Sequence, residues 1–105
     1  MARFDVYANP RRHADSTPYL LDVQSDLLDG LESCVVIPLR RRERFPAVPL
    51  ADRLTPTVRI EGAEYMLETP KMGAVPRRAL GAPLLSLAAE RARVTAAMDF
   101  LFQGF

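Results

Sequence analysis

The chain has 105 residues, of which 49% are hydrophobic and 26% charged, and its net charge is +1. These values are ordinary for one folded soluble domain, and the near-neutral charge argues against a general nucleic-acid-binding protein. There is no apolar run of about 18 residues that would span a membrane, and the N-terminus lacks the apolar core of a signal peptide, so we expect a cytoplasmic protein.

Five segments have the composition and periodicity of β-strands. In chain order they are Arg3–Tyr7, Tyr19–Gln24, Cys34–Leu39, Pro56–Ile60 and Ala63–Glu68. The last two flank Glu61-Gly62, a turn signal, and therefore predict a β-hairpin. Pro38 cannot donate to a ladder, so its strand is expected to end, bulge or lie at a sheet edge there.

Three segments between the strands lack a clear period. Residues Asn9–Thr17 are polar and predict a loop or hairpin tip, and Thr69–Pro83 is predicted to be irregular because it is rich in proline and glycine. The segment Arg40–Thr55 predicts either a small subsidiary hairpin or an open loop.

An amphipathic helix is predicted for Ser86–Phe105, with Ser86 as its N-cap. Leu87, Val94, Met98 and Leu101 form its apolar stripe. Strands followed by one helix predict an α+β fold with a mostly antiparallel sheet.

The residues that carry chemistry are sparse. Cys34 is the only cysteine, which excludes an internal disulfide, and its β-branched neighbours predict a buried, inert thiol. Asp22, Asp26 and Asp29 are interpreted as turn residues, because they lack the glycine and later glutamate of a calcium loop. We find no catalytic or phosphate-binding motif and expect neither a cofactor nor a metal.

Two features indicate binding surfaces. On a helix, Phe100 and Leu101 cannot share a direction with Phe102, and Gly104 lets the backbone leave the helix. The end of the helix is therefore predicted to be an interface. The arginine-rich segment Arg40–Arg44 is either a solvated loop or a patch for an acidic peptide or phosphates.

The chain resembles the CcdB toxins of bacterial toxin–antitoxin modules along nearly its whole length. The run Asp22–Asp26 (Asp-Val-Gln-Ser-Asp), followed by two leucines, is the most specific match. The segments that carry the resemblance are Phe4–Tyr7, Asp22–Asp29, Val36–Leu39, Pro56–Ile60, Met72–Pro76 and Asp99–Phe105.

The resemblance implies one domain over residues 1–105. Its fold would be an SH3-like barrel or five-stranded antiparallel sheet, with a small subsidiary hairpin and a C-terminal helix. The protein would be a homodimeric, non-enzymatic toxin of a type II system that binds the A subunit of DNA gyrase and traps the cleaved-DNA complex. A CcdA-like antitoxin would neutralise it, and only the toxin–antitoxin complex would bind operator DNA and repress the operon.

The resemblance also implies two sets of binding residues. The residues expected to bind gyrase are Ser25, Leu27, Arg91, Asp99, Gln103, Gly104 and Phe105. The residues expected to bind the antitoxin, whose tail is acidic and disordered before binding, are Arg11, Arg12, Arg40, Arg41, Arg42 and Arg44.

The tail departs from the best-known family member, which ends in Trp-Gly-Ile and stacks its tryptophan on a gyrase arginine. Gln103 and Phe105 replace that tryptophan and isoleucine. One alternative is therefore a degenerate family member that is non-toxic or has another target. A second is a ribonuclease of the MazF or Kid kind on the same fold, using His13 or an aspartate beside Arg40–Arg44.

Overall fold

The computed structural model describes residues 2–11, 14–44 and 51–104. Within these residues the strands are β1 (Asp5–Ala8), β2 (Tyr19–Asp22), β3 (Ser33–Arg41), β4 (Thr57–Ile60), β5 (Ala63–Leu67), β6 (Gly73–Pro76) and β7 (Leu85–Ser86). The two α-helices are α1 (Ala51–Leu54) and α2 (Arg91–Gln103). Single 3₁₀ turns lie at Asp26–Leu28, Arg42–Arg44, Thr69–Lys71, Arg77–Ala79 and Ala88–Glu90.

The strands form one antiparallel sheet in the order β4-β5-β3-β2-β1-β7, and β6 also pairs with β3. The sheet curls into a half-barrel, and the C-terminal helix completes an α+β, SH3-like architecture. The fold class predicted from the sequence is therefore confirmed.

The long strand β3 organises the sheet and passes through Pro38 instead of ending there. On one side Pro38 lies opposite Leu20 of β2, and on the other its carbonyl accepts the Glu68 N–H at 2.9 Å. In an antiparallel ladder the N–H and C=O of a residue point the same way. The missing donor of Pro38 therefore faces the side of β3 where β6 pairs with Ser33–Val36 and β5 pairs with Leu39–Arg41. No ladder bond to β2 is lost.

Both faces of the sheet are covered. Neighbouring residues such as Val6 and Tyr7, or Val36 and Ile37, enter opposite clusters because strand side chains alternate. The larger cluster includes Val94 and Ala97 of α2, together with side chains of β1 to β5. The smaller cluster consists of Tyr7, Leu20, Cys34, Val36, Val75 and Leu80. The predicted burial of Cys34 on a doubly covered strand is confirmed.

The predicted hairpin is confirmed as β4 and β5. Its turn residues Glu61 and Gly62 have φ of +51° and +82°. Two consecutive positive values are those of a type I′ turn, which matches the twist of the flanking strands.

The predicted start of the helix is wrong, because α2 begins at Arg91 instead of near Ser86. Ser86 pairs with Asp5 of β1 as part of β7, and its hydroxyl accepts the Ala88 N–H at 3.1 Å. Ser86 therefore belongs to a strand, and its hydroxyl bonds to the first residue of the 3₁₀ turn that precedes the α-helix. Pairing with the edge of β1 overrides the helical pattern at this point.

The irregular segment predicted for Thr69–Pro83 also contains β6, which pairs with Ser33–Val36 of β3. For Arg40–Thr55, the described part holds the end of β3, a 3₁₀ turn and α1, whereas the predicted subsidiary hairpin involves residues 45–50, outside the described residues. In the described part of the chain, no helix is long and apolar enough to cross a membrane.

Candidate functional site

The end of α2 presents apolar and polar side chains to solvent. Val94 and Ala97 are buried, Leu101 is half-buried, and the Phe102 side chain is 72% exposed. One side of the helix therefore packs on the sheet, while Phe102 points away from it. Gln103 is also exposed beside it.

Gly104 ends the helix in the left-handed conformation, with φ of +81°, and its N–H donates to the Phe100 carbonyl at 2.9 Å. A residue with a Cβ is strained at this φ, so glycine is the natural helix terminator here. The prediction that Gly104 lets the chain leave the helix is thus met by the geometry. Phe105 lies outside the described residues.

Helix α1 lies against the last turns of α2. The Arg53 guanidinium carbon is 4.3 Å from the centroid of the Phe100 ring, within the range of a cation–π contact. A cleft of about 270 Å³ separates the two helices. Its lining residues are Asp52, Arg53, Arg93, Ala96 and Asp99. The exposed Asp99 is therefore on the wall of a cleft beside the helix end.

Arg91 is exposed at the first residue of α2. At a rise of about 1.5 Å per residue it lies roughly 12 Å along the axis from Asp99. The structure therefore places Arg91 and the tail residues on the same helix without bringing them into one contact.

The loop between β2 and β3, the leucine loop, exposes three leucines. Leu27 is 94% exposed, and Leu28 and Leu31 are each about half exposed. The Ser25 hydroxyl accepts the Leu27 N–H at 3.2 Å and so caps the 3₁₀ turn that carries Leu27. Clustered apolar side chains on the surface of a small domain are typical of an interaction site.

Two long side chains hold this leucine loop in place. Gln24 donates to the carbonyls of Leu28 and Ser33, at 3.3 and 3.2 Å, and accepts the Val35 N–H at 3.1 Å. Arg77 reaches the loop from 46 positions away: its Nε donates to the Leu31 carbonyl at 2.8 Å. The Arg77 guanidinium is also 3.5 Å from the Asp29 carboxylate.

A buried polar cluster lies under the sheet near Asp22. The Asp22 carboxylate accepts the Gln24 N–H at 2.9 Å, and burial raises its pKa. Burial, with the neighbouring Asp22, raises the pKa of the Cys34 thiol to about 12, so the thiol stays protonated and poorly nucleophilic. Within the described residues, no group of three or more His, Cys, Asp or Glu residues could hold a metal ion.

The structure separates the arginine cluster into two environments. Arg40 and Arg41 are adjacent on β3, so their side chains point to opposite faces of the sheet. Arg40 lines a pocket of about 410 Å³, the arginine-lined pocket. Arg41 and the exposed Arg42 line a separate cleft of about 460 Å³. The Arg41 Nε donates to the Asp15 carbonyl at 2.8 Å.

Of the other predicted antitoxin-binding residues, only Arg11 has a described side chain. Arg11 is exposed and lines the pocket of Arg40. The whole of Arg12 and the side chain of Arg44 lie outside what the structure describes. Glu68 and Lys71 also line the pocket, although the sequence analysis did not single them out. They are about 30 positions from Arg40, and no local pattern connects them to it.

Comparison with known proteins identifies a matching family. A family model described as CcdB protein matches residues 3–104. This range covers nearly the whole chain and includes the helix end through Gly104, the leucine loop and the arginine-lined pocket. No curated protein matches the chain.

Proposed function

The chain belongs to the CcdB family of toxin–antitoxin toxins, and from this membership we propose that it binds the A subunit of DNA gyrase and traps the cleaved-DNA complex. The family is one of toxins and not of catalysts, so the chain acts by binding. We further propose that it acts as a homodimer. His13, on which the ribonuclease alternative partly depends, lies outside the described residues.

The observation that carries this proposal is the exposed end of α2. Phe102 is held outward on a helix whose opposite side is buried, and Gly104 turns the chain away immediately after it. Burying a phenylalanine side chain contributes about 1.5–3 kcal/mol to association. A rigid helix also lowers the ordering cost of binding. In the proposal, Asp99 and Gln103 supply polar contacts around Phe102, Phe105 extends the apolar contact, and Arg91 contributes from the other end.

The leucine loop supports a second contact area for gyrase. Leu27 is almost completely exposed, yet its N–H is held by the Ser25 cap, and Gln24 donates to the carbonyl of the neighbouring Leu28. A fixed, exposed apolar loop suits a partner groove. We assign Ser25 to this contact area together with Leu27.

For neutralisation, we propose that a CcdA-like antitoxin binds the basic residues on both sides of β3. Arg11, Arg40, Arg41 and Arg42 line two clefts that suit an acidic segment, and Arg12 and Arg44 belong to the same proposed set. The toxin–antitoxin complex would then bind operator DNA and repress its operon.

A DNA-cleavage assay with the gyrase of the source organism tests the central proposal. The intact protein should cause accumulation of cleaved DNA, and a chain truncated after Phe102 should not. Phe102→Ala should reduce potency by about tenfold or more, from the lost apolar burial. Leu84→Ala is the matched control, since Leu84 is a half-exposed apolar residue outside both contact areas, and it should act like wild type.

The proposal fails if no cleavage accumulates at micromolar protein, or if both alanine variants lose potency equally. Expression in a host without antitoxin then separates the remaining possibilities. Normal growth would favour the degenerate or differently targeted family member suggested by Gln103, whereas arrested growth with unaffected gyrase would indicate another target.

A further inference from the structure

The pocket of about 410 Å³ lies between the β1–β2 loop, the end of β3 and the turn at Thr69–Lys71. Leu20 and Pro38 give it an apolar part, and the other lining residues are polar or charged. The polar and charged lining residues are Asn9, Arg11, Ser16, Thr17, Arg40, Glu68 and Lys71.

Among the described residues, three cations and one carboxylate line the pocket. Glu68 is the carboxylate, and its side chain is only 8% exposed. The same oxygen, Oε2, lies 3.8 Å from Arg40 Nη1 and 3.5 Å from Lys71 Nζ. Both distances exceed the 2.7–2.9 Å typical of a charge-assisted hydrogen bond. A single carboxylate oxygen is thus shared between two cations, and neither cation is fully satisfied by it.

Arg40 has further donor capacity. Its Nε is buried and has no hydrogen-bond partner among the described residues. Buried donors are nearly always paired in folded proteins, so an acceptor that reached this N–H through a small shift of the Arg40 side chain would remove the cost of leaving it unpaired. Arg11 adds a third positive charge to the same wall.

The wall that carries Arg11 is ordered by Asn9. The Asn9 side chain donates to the Thr17 carbonyl at 2.7 Å and accepts the Arg11 N–H at 3.0 Å. The Asn9 N–H also donates to the Pro18 carbonyl at 2.9 Å. Because these bonds join the two ends of the β1–β2 loop, this rim of the pocket has its shape before any ligand binds.

We propose that this pocket binds one carboxylate side chain of an acidic partner segment. Arg40, Lys71 and Arg11 would hold the carboxylate, and Leu20 and Pro38 would contact its methylene stem. The inference rests on the antitoxin part of the proposed function and deepens it, since an acidic antitoxin segment is the partner that would supply this side chain.

A peptide carboxylate suits the pocket better than a nucleic-acid backbone. The apolar part suits the stem of a glutamate. The chain as a whole also has a net charge of only +1, whereas nucleic-acid binding draws its affinity from many basic contacts.

The test is titration of the full chain with a hexaglutamate peptide at low salt, followed by isothermal calorimetry and by backbone amide NMR. Binding should saturate, with shifts at Asn9, Thr17 and Lys71. Lys71→Met should weaken it at least fivefold. Glu68→Gln should tighten it at least threefold, because it removes the internal counter-charge. Arg78→Met loses the same charge from an exposed residue outside the pocket and should have little effect.

Three results would overturn the inference: equal weakening by Lys71→Met and Arg78→Met, weaker binding by Glu68→Gln in a folded variant, or tighter binding of hexathymidylate than of hexaglutamate. Lys71 is exposed, so its substitution does not endanger the fold. The gyrase-cleavage assay depends on the end of α2 and not on this pocket. Failure of the pocket and failure of the gyrase proposal are therefore separately visible.

Discussion

Replacing Tyr7 with phenylalanine should stabilise this protein. The Tyr7 side chain is 0% exposed in the smaller cluster, and its hydroxyl has no hydrogen-bond partner among the described residues. Burial is also the main cause that raises the pKa of Tyr7 to about 12. The hydroxyl has therefore lost its hydration without gaining a partner in the part of the chain that the structure describes.

The magnitude follows from that loss. A buried polar group without a partner costs about 1–3 kcal/mol, and Tyr7→Phe removes the group while keeping the packed ring. We expect the free energy of unfolding to rise by about 1 kcal/mol. For a domain of this size, that corresponds to an increase of about 4–8 °C in Tm.

Urea and thermal denaturation of the purified variants measure this effect. Tyr65→Phe is the matched control, because the Tyr65 hydroxyl is not among the buried groups without a partner, and its ring meets the Tyr19 ring edge to face at 5.2 Å. Loss of a hydroxyl that is not buried without a partner should leave stability unchanged or lower it by about 0.5–1.5 kcal/mol. If Tyr7→Phe is destabilised to the same degree as Tyr65→Phe, the Tyr7 hydroxyl has a partner and the reasoning is refuted.

Three further predictions concern individual side chains. With a pKa of about 12, the Cys34 thiol should react with an aromatic disulfide at pH 8 about a hundredfold or more slowly than it does in the urea-unfolded chain, and equal rates would contradict its burial. Burial raises the pKa of Asp22, so its unfavourable contribution is present above the folded pKa and disappears as pH falls from there towards the ordinary value of 3.8. Relative to Asp22→Asn, the wild type should therefore gain stability between pH 7 and pH 4 in urea unfolding, and parallel pH profiles would contradict this. Gln103→Trp should increase potency in the gyrase-cleavage assay, since a cation–π contact adds about 0.5–2 kcal/mol; unchanged potency would show that no arginine faces this position.

Features with strong local signals were predicted correctly. The β4–β5 hairpin follows from alternating segments around Glu61-Gly62, and both turn residues adopt positive φ. The doubly covered strand β3 follows from its β-branched run, and the helix end follows from Gly104. In each case the conformation is determined by residues that are neighbours in sequence.

Features that depend on distant partners were not predicted. Strand β6 contains Gly73 and Pro76, which are poor strand formers, and it forms because Ser33–Val36 provides a pairing edge. Residues Leu85–Ser86 join β1 for the same reason, which delays the start of α2. The place of Glu68 beside Arg40 was not predicted either, since Glu68 approaches Arg40 only after β5 has paired with β3.

The leucine loop shows how such distant contacts determine the proposed gyrase surface. Exposed leucines favour a loop that folds back onto the domain, because this would remove their apolar surface from contact with water. Hydrogen bonds from Gln24 and Arg77 to loop carbonyls oppose that collapse by fixing the backbone from two sides. Ser25 acts in the same way through its cap on Leu27, which explains a serine at this position even without direct contact to a partner. In the most specific part of the family resemblance, Gln24 therefore acts by positioning, and Ser25 positions Leu27 in addition to its proposed contact with the partner.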